Sequence, residues 1–312
     1  MYPPLVLLPN RYTGITPSMQ RNCLLHTFCV GADGAKIQAA LDAAFSAPSG
    51  GAVRYEAIGS KLFVSVAEIG RVYSLDPQDV NKGWMSEIDV TVWIMARVAG
   101  TLAIRWIPLW LFVDNPHAVA TGREVYGFPK QGGQFVFDPP DRENRRFAAS
   151  TLIIPHFSPE TQMVWGPVIT LEPSPAPPQP EAAGVWTELR SFAANLSARL
   201  SAVVSGLDAQ MLSAVDNALS LGKSTLVFLK QFSDVADPRR ACYQAIIEAD
   251  CEVNTIRKLG FTASPYRATI LSYDSHPFLD VLGVSPQPQE VGHGIVVDFD
   301  FTLTLGQEVW KA

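Results

Sequence analysis

Residues 121–130 read Thr-Gly-Arg-Glu-Val-Tyr-Gly-Phe-Pro-Lys, and the fold is read outward from them. They follow a nearly unbroken apolar run, Leu102–Val113, interrupted only by Arg105 and Pro108. A lysine in a turn beyond such a run can have its amine held in a dry interior, where burial disfavours the ammonium form. That matters because an amine is a nucleophile only when unprotonated. At the reference pKa of ~10.4, under about one part in a thousand is free at pH 7. Gly127 permits an unusual dihedral in the turn, and Pro129 fixes the backbone just before Lys130. Lys130 is the residue on which chemistry is expected to rest.

The surrounding pattern is strand-rich. Cys23–Val30 reads as a strand, and Asp33 then caps an Ala-rich helix from Ala35 to about Ser46, with Ile37, Leu41 and Phe45 on its apolar face. Val53–Ile58 and Leu62–Ile69 read as a hairpin through Gly59-Ser60. Ile88–Arg97 and Leu102–Val113 read as long strands joined at Ala99-Gly100. Gln134–Phe137 and Arg146–Ile154 form a further pair across the polar turn Asp138–Arg145. Strand patterns return at Ser224–Gln231, Cys242–Lys258, Arg267–Tyr273 and Ile295–Leu305.

Between these groups, Glu172–Glu181 is Pro-rich and reads as a stiff extended connector. After it, Val185, Leu189, Phe192, Leu196, Leu200 and Val203 trace the apolar stripe of a helix, and Leu207–Leu219 suggests a second. Two independent domains would leave each half with too few strands to protect its sheet edges. The expectation is one α+β, mainly β domain over residues 1–312, with a Pro-rich connector and helical insertion at 172–222. The stripe of that insertion must be buried, either as a lid against the rest of the domain or, as preferred here, across a subunit interface.

Composition narrows the function. A net charge of −6 argues against nucleic acid as a partner, which needs a basic face. The first residues lack the basic start and apolar length of a signal peptide, and no window offers ~20 apolar residues for a membrane span. The protein is therefore expected to be soluble and cytoplasmic. Cys23, Cys29, Cys242 and Cys251 show no Cys-x-x-Cys spacing, and the histidines no metal-binding spacing, so no metal is expected. No Gly-x-Ser-x-Gly elbow occurs. Trp93, Trp106 and Trp110 read as core or pocket wall.

Gly122-Arg123-Glu124 followed by Phe128-Pro129-Lys130 resembles the signature of the acetoacetate decarboxylase superfamily. Asp114-Asn115-Pro116 is similar to the family's Asp-Asn segment, Gln20-Arg21-Asn22 to its N-terminal unit, and Thr225–Pro277 to its C-terminal strands. The resemblance covers most of 15–155 and 222–305, and not the insertion. It implies an antiparallel β-barrel-like fold, oligomeric assembly and a buried lysine that forms a Schiff base with a small keto acid, with no metal or organic cofactor.

The resemblance also implies roles for individual residues. Lys130 would be the nucleophile and Glu87 a proton-handling acid, with Glu68 or Asp89 as substitutes for Glu87. Arg21, Gln131 and Phe128 would meet substrate. Gly122, Arg123, Glu124 and Pro129 would brace the lysine. The decarboxylase itself carries a second lysine after the first. Here that position is Gln131, so activation would rest on burial, and Gln131 could hydrogen-bond a substrate oxygen. The reaction implied is decarboxylation of an acetoacetate-like β-keto acid. An aldolase or dehydratase using the same imine, or a non-catalytic barrel binding a small apolar ligand, would fit the same residues.

Overall fold

The computed structural model describes residues 16–139, 144–174 and 222–312. Its strands are β1 (Ser18–Gly31), β2 (Tyr55–Ala57), β3 (Lys61–Ser74), β4 (Met85–Val98), β5 (Ile104–Val113), β6 (Lys130–Asp138), β7 (Arg146–Ile153), β8 (Val164–Pro173), β9 (Lys223–Ser233), β10 (Ala241–Phe261), β11 (Tyr266–Ile270), β12 (Gln289–Gly292), β13 (Ile295–Leu303) and β14 (Gln307–Lys311). The helices are α1 (Gly34–Leu41), which runs on into a wider turn at Asp42–Ser46, α2 (Pro116–Val125) and α3 (Phe278–Leu282). The helices expected in the insertion, including the stripe from Val185 to Val203, fall outside the described residues.

Pairing runs from β5 through β9, β10, β13, β1, β3 and β4, and closes through β4 back onto β5. Closure removes free edges from this barrel. A second sheet, β6-β7-β8-β11-β12, joins it where β6 pairs with the end of β5. The pairings of β5 with β6 and with β9 are parallel, so the sheet is mixed rather than purely antiparallel. Along β5, Trp106 meets Leu226 of β9, whereas Leu111 meets Lys130 of β6. The sheet therefore divides along β5, and Lys130 is the first residue of the branch.

The barrel strands have two apolar faces, which is why they read as runs rather than as alternation. On β3, Leu62, Val64 and Val66 join the core outside the barrel, whereas Phe63, Ser65 and Ala67 face its lumen. On β1, Phe28 packs outward against Tyr266 of β11, with ring centroids 4.7 Å apart, while Cys23, Leu25 and Thr27 face inward. The main core thus lies between the barrel wall and the second sheet.

Several expectations are corrected. β2 pairs with β4, and β3 is already flanked by β1 and β4, so no hairpin joins 53–58 to 62–69. β8, a central strand of the second sheet, lies in a segment assigned to no element, and its last residues begin the Pro-rich stretch. The Asp33 cap is as expected: its carboxylate accepts from the N–H groups of Ala35 and Lys36 at 2.8 and 3.3 Å.

Two barrel strands, β5 and β10, and the flanking β2 are tied by a largely buried ion pair. Arg105 donates Nε and Nη2 to Glu248 at 2.8 and 2.9 Å, and Tyr55 donates its hydroxyl to the same carboxylate at 2.9 Å. Removing one partner strands the other charge in the interior. Glu248→Ala is expected to lower stability by about 3 kcal/mol or more, read as a shifted urea midpoint.

Candidate functional site

The lysine is presented by α2 and the turn after it. Asn115 caps α2 by accepting from the N–H of His117 at 2.9 Å, and Pro116 occupies the first turn, where its missing N–H costs nothing. The helix ends when the N–H groups of Tyr126, Gly127 and Phe128 all converge on the carbonyl of Gly122, at 3.1–3.2 Å. Gly127 sits at φ +88°, and a Cβ there would lie 2.5 Å from Cα of Lys230. Only glycine fits this backbone and this contact. Gly122-Arg123-Glu124 is therefore the last turn of a helix, not a loop.

Gly122 also makes room for the lysine. A Cβ at this position would come 2.8 Å from Cδ and 3.0 Å from Cε of Lys130. Arg123 donates Nη1 to the carbonyl of Lys130 at 3.1 Å, bracing the start of β6. Glu124 is exposed on the outer side of the helix. Gly122→Ala is expected to displace the lysine stem and slow capture of a carbonyl compound by about tenfold to a hundredfold. Circular dichroism should show the fold unchanged.

The Lys130 side chain enters the barrel lumen, a cavity of about 330 Å3. Only 8% of the residue is exposed, and its Nζ donates to Oε2 of Glu87 at 3.2 Å. The Phe128 ring lies beneath the ammonium, 5.4 Å from Nζ to the centroid. Glu87 and Asp89 alternate on β4 and both line the cavity, since residues i and i+2 of a strand share a face. Burial first, then the Glu87 carboxylate, push Asp89 up to about 7, against the opposing pull of Lys130 and a hydrogen bond from Thr91. Burial and the neighbouring carboxylate thus favour the protonated form of Asp89.

Glu87 is held from both sides. Asp114 accepts from the backbone N–H of Ile88 at 2.8 Å, and Asn115 donates Nδ2 to the carbonyl of Ser86 at 2.8 Å. The Asp-Asn segment thus pins the residues flanking Glu87 while also starting the helix that carries the lysine turn. Sequence reasoning did not find this clamp, because it joins residues 26 and 29 positions apart.

The structure does not bring every expected residue to the cavity. Arg21 lies at the bulge of β1, is exposed, and has its guanidinium 5.8 Å from the Tyr73 ring centroid. Gln131 follows Lys130 on a strand and so points the other way, where its Oε1 meets Nε2 of His276 at 2.8 Å. Glu68 is on the outer face of β3 and accepts from Arg145 Nη2 at 2.6 Å. Among the described residues, Lys130 is the one cation lining the cavity, and no cluster of side chains has the makings of a metal site. Cys23 and Cys251 also line the lumen, and burial raises both thiols, Cys251 to about 12. Cys242 is exposed. No helix among the described residues is long and apolar enough to cross a membrane.

A closed barrel with a second sheet branching from one of its strands is the acetoacetate decarboxylase-like fold. The chain superposes on acetoacetate decarboxylase from Legionella pneumophila with a TM-score of 0.61 at 12% identity, over 99% of this chain and 93% of that one. It also matches an acetoacetate decarboxylase-like enzyme from Sphingomonas wittichii (TM-score 0.55, 11% identity, 95% and 94% covered). A third match is the enduracididine biosynthesis enzyme MppR complexed with pyruvate (TM-score 0.51, 13% identity, 95% and 92% covered). The sequence matches no protein-family model, and no curated protein is significantly similar to it.

Proposed function

We propose that this protein is a carbon–carbon lyase that decarboxylates a β-keto acid through an imine on Lys130. The observation that carries the reading is the buried amine, 3.2 Å from Glu87 in a lumen it shares with Asp89. Glu87 takes a proton from the ammonium, and the free amine attacks the ketone carbon. The resulting carbinolamine loses water to give a protonated imine. The electrons of the bond to the carboxyl carbon then move toward the imine nitrogen, and carbon dioxide leaves. Asp89 in its acid form protonates the carbon of the enamine, and water hydrolyses the new imine to release a ketone. One proton is consumed overall, and solvent restores it to Asp89.

The lumen supports decarboxylation in a second way. No arginine lines it among the described residues, so a substrate carboxylate would lose its water without gaining a bidentate partner. Loss as neutral carbon dioxide relieves that desolvated charge. An aldol or dehydration outcome from the same imine is the second reading, favoured by the pyruvate bound to MppR in the same fold. Release of carbon dioxide from a β-keto acid, lost in Lys130→Ala, is the result expected. Imine formation without carbon dioxide would turn the reading to aldol chemistry. Neither would leave a barrel that binds its ligand without reaction.

A further inference from the structure

We infer that the substrate of this lumen carries an extended, uncharged apolar group on its ketone carbon, seated against the far wall formed by Phe63, Trp93 and Trp106. This rests on the imine reading above for where the carbonyl sits.

Among the described residues, the three charged side chains lining the lumen, Glu87, Asp89 and Lys130, are gathered at one level of the barrel. The cavity does not end with them. From Asp89, β4 continues four residues to Trp93, a span of ~13 Å at about 3.3 Å per residue. At that level Trp93 pairs with Phe63 on β3, and Phe63 meets Trp106 edge to face with centroids 5.1 Å apart. All three rings line the cavity. The indole N–H of Trp93 is already donated to Ser65 Oγ at 2.8 Å, so this end presents mainly carbon.

A volume of about 330 Å3 falls within the range of pockets that enclose drug-sized ligands, ~300–1,000 Å3. A four-carbon keto acid held at Lys130 would leave this aromatic end unfilled. A second charged group would find no partner there among the described residues, and its desolvation would be uncompensated. An alkyl or arylalkyl chain meets neither penalty.

Methyl ketones of increasing length, acetone, 2-hexanone and 2-nonanone, are stable probes. Two readouts are taken on the full chain: quenching of tryptophan fluorescence for binding, and borohydride trapping for imine formation. Affinity is expected to rise about threefold to fourfold per added methylene until the far wall is reached. Thr27 faces the same end, opposite Ser65 and Ile295. Thr27→Phe should therefore reduce the preference for 2-nonanone over acetone at least tenfold. Affinity that is flat or falls with chain length overturns the inference. So does a preference that survives Thr27→Phe while acetone binding shows the variant folded. Should that variant not fold, Thr27→Leu gives the same comparison with a smaller loss. Length-dependent binding without trapping would uphold the apolar subsite and overturn the imine reading instead.

Discussion

Lys130→Met is expected to abolish borohydride trapping and to lower decarboxylation by about 10^4-fold or more, as removal of a covalent nucleophile does. Arginine at the same position should not restore activity, because a guanidinium stays protonated and cannot attack a carbonyl. A second consequence follows from the charges left behind. The ammonium holds Asp89 down, while burial, Glu87 and Asp114 push it up. Without the ammonium, Asp89 should titrate above its value of about 7 in the parent. Infrared titration of the carboxyl band would read that shift. Normal turnover in Lys130→Met would remove the lysine from the mechanism altogether.

Asp89→Asn should change how stability depends on pH. The carboxyl titrates near ~3.9 in the unfolded chain and at about 7 in the fold. Between these values the native state holds a proton that the unfolded chain has released. Stability therefore falls as pH rises from about 4 to about 7, then levels. The asparagine variant lacks this fall, and above pH 7 it should exceed the parent by roughly 2–4 kcal/mol in urea unfolding. The groups acting on Asp89 are Glu87 from β4, Lys130 from β6 and Asp114 beyond β5, with Thr91 as hydrogen-bond donor. In kinetics, parent kcat/KM should decline as pH rises through about 7, where Asp89 ceases to be an acid. The variant should be slow throughout and lack that limb. A parallel stability profile in the two proteins would show that Asp89 is not a raised carboxyl.

The lysine turn was legible because it is local: a glycine with positive φ, a proline and a lysine stand within four residues. Most barrel strands were legible because their apolar runs are rich in β-branched and aromatic residues and bounded by turn residues. What escaped was the pairing of those runs. β3 is apolar on both faces, so no alternation told whether Leu62–Ile69 turned back on Val53–Ile58 or paired with β1 and β4. α2 was missed because its ten residues carry a weak apolar stripe, with Ala118 and Gly122 as its buried positions. Yet Asn115-Pro116 is a helix-start signal that could have revealed it.

Within the site, Glu87 and Lys130, both singled out through the resemblance, lie within hydrogen-bond distance of each other. The strand begins at Met85, earlier than the expected Ile88, and so brings Glu87 onto the same face as Asp89. Arg21 was assigned by matching Gln20-Arg21-Asn22 to the family's N-terminal unit, and Gln131 by its place directly after Lys130. A bulge turned one outward, and strand alternation turned the other toward His276.

The decisive measurement is the intact mass of the protein after borohydride reduction in the presence of 3-oxobutanoate and, separately, 3-oxooctanoate, followed by peptide mapping. Decarboxylation through the proposed imine gives one adduct per chain at Lys130, with the mass of the reduced product ketone and no carboxyl group. An adduct that retains the carboxyl would place the imine at Lys130 without the decarboxylation. No adduct, or one that maps to Lys82 or Lys230, would contradict the mechanism.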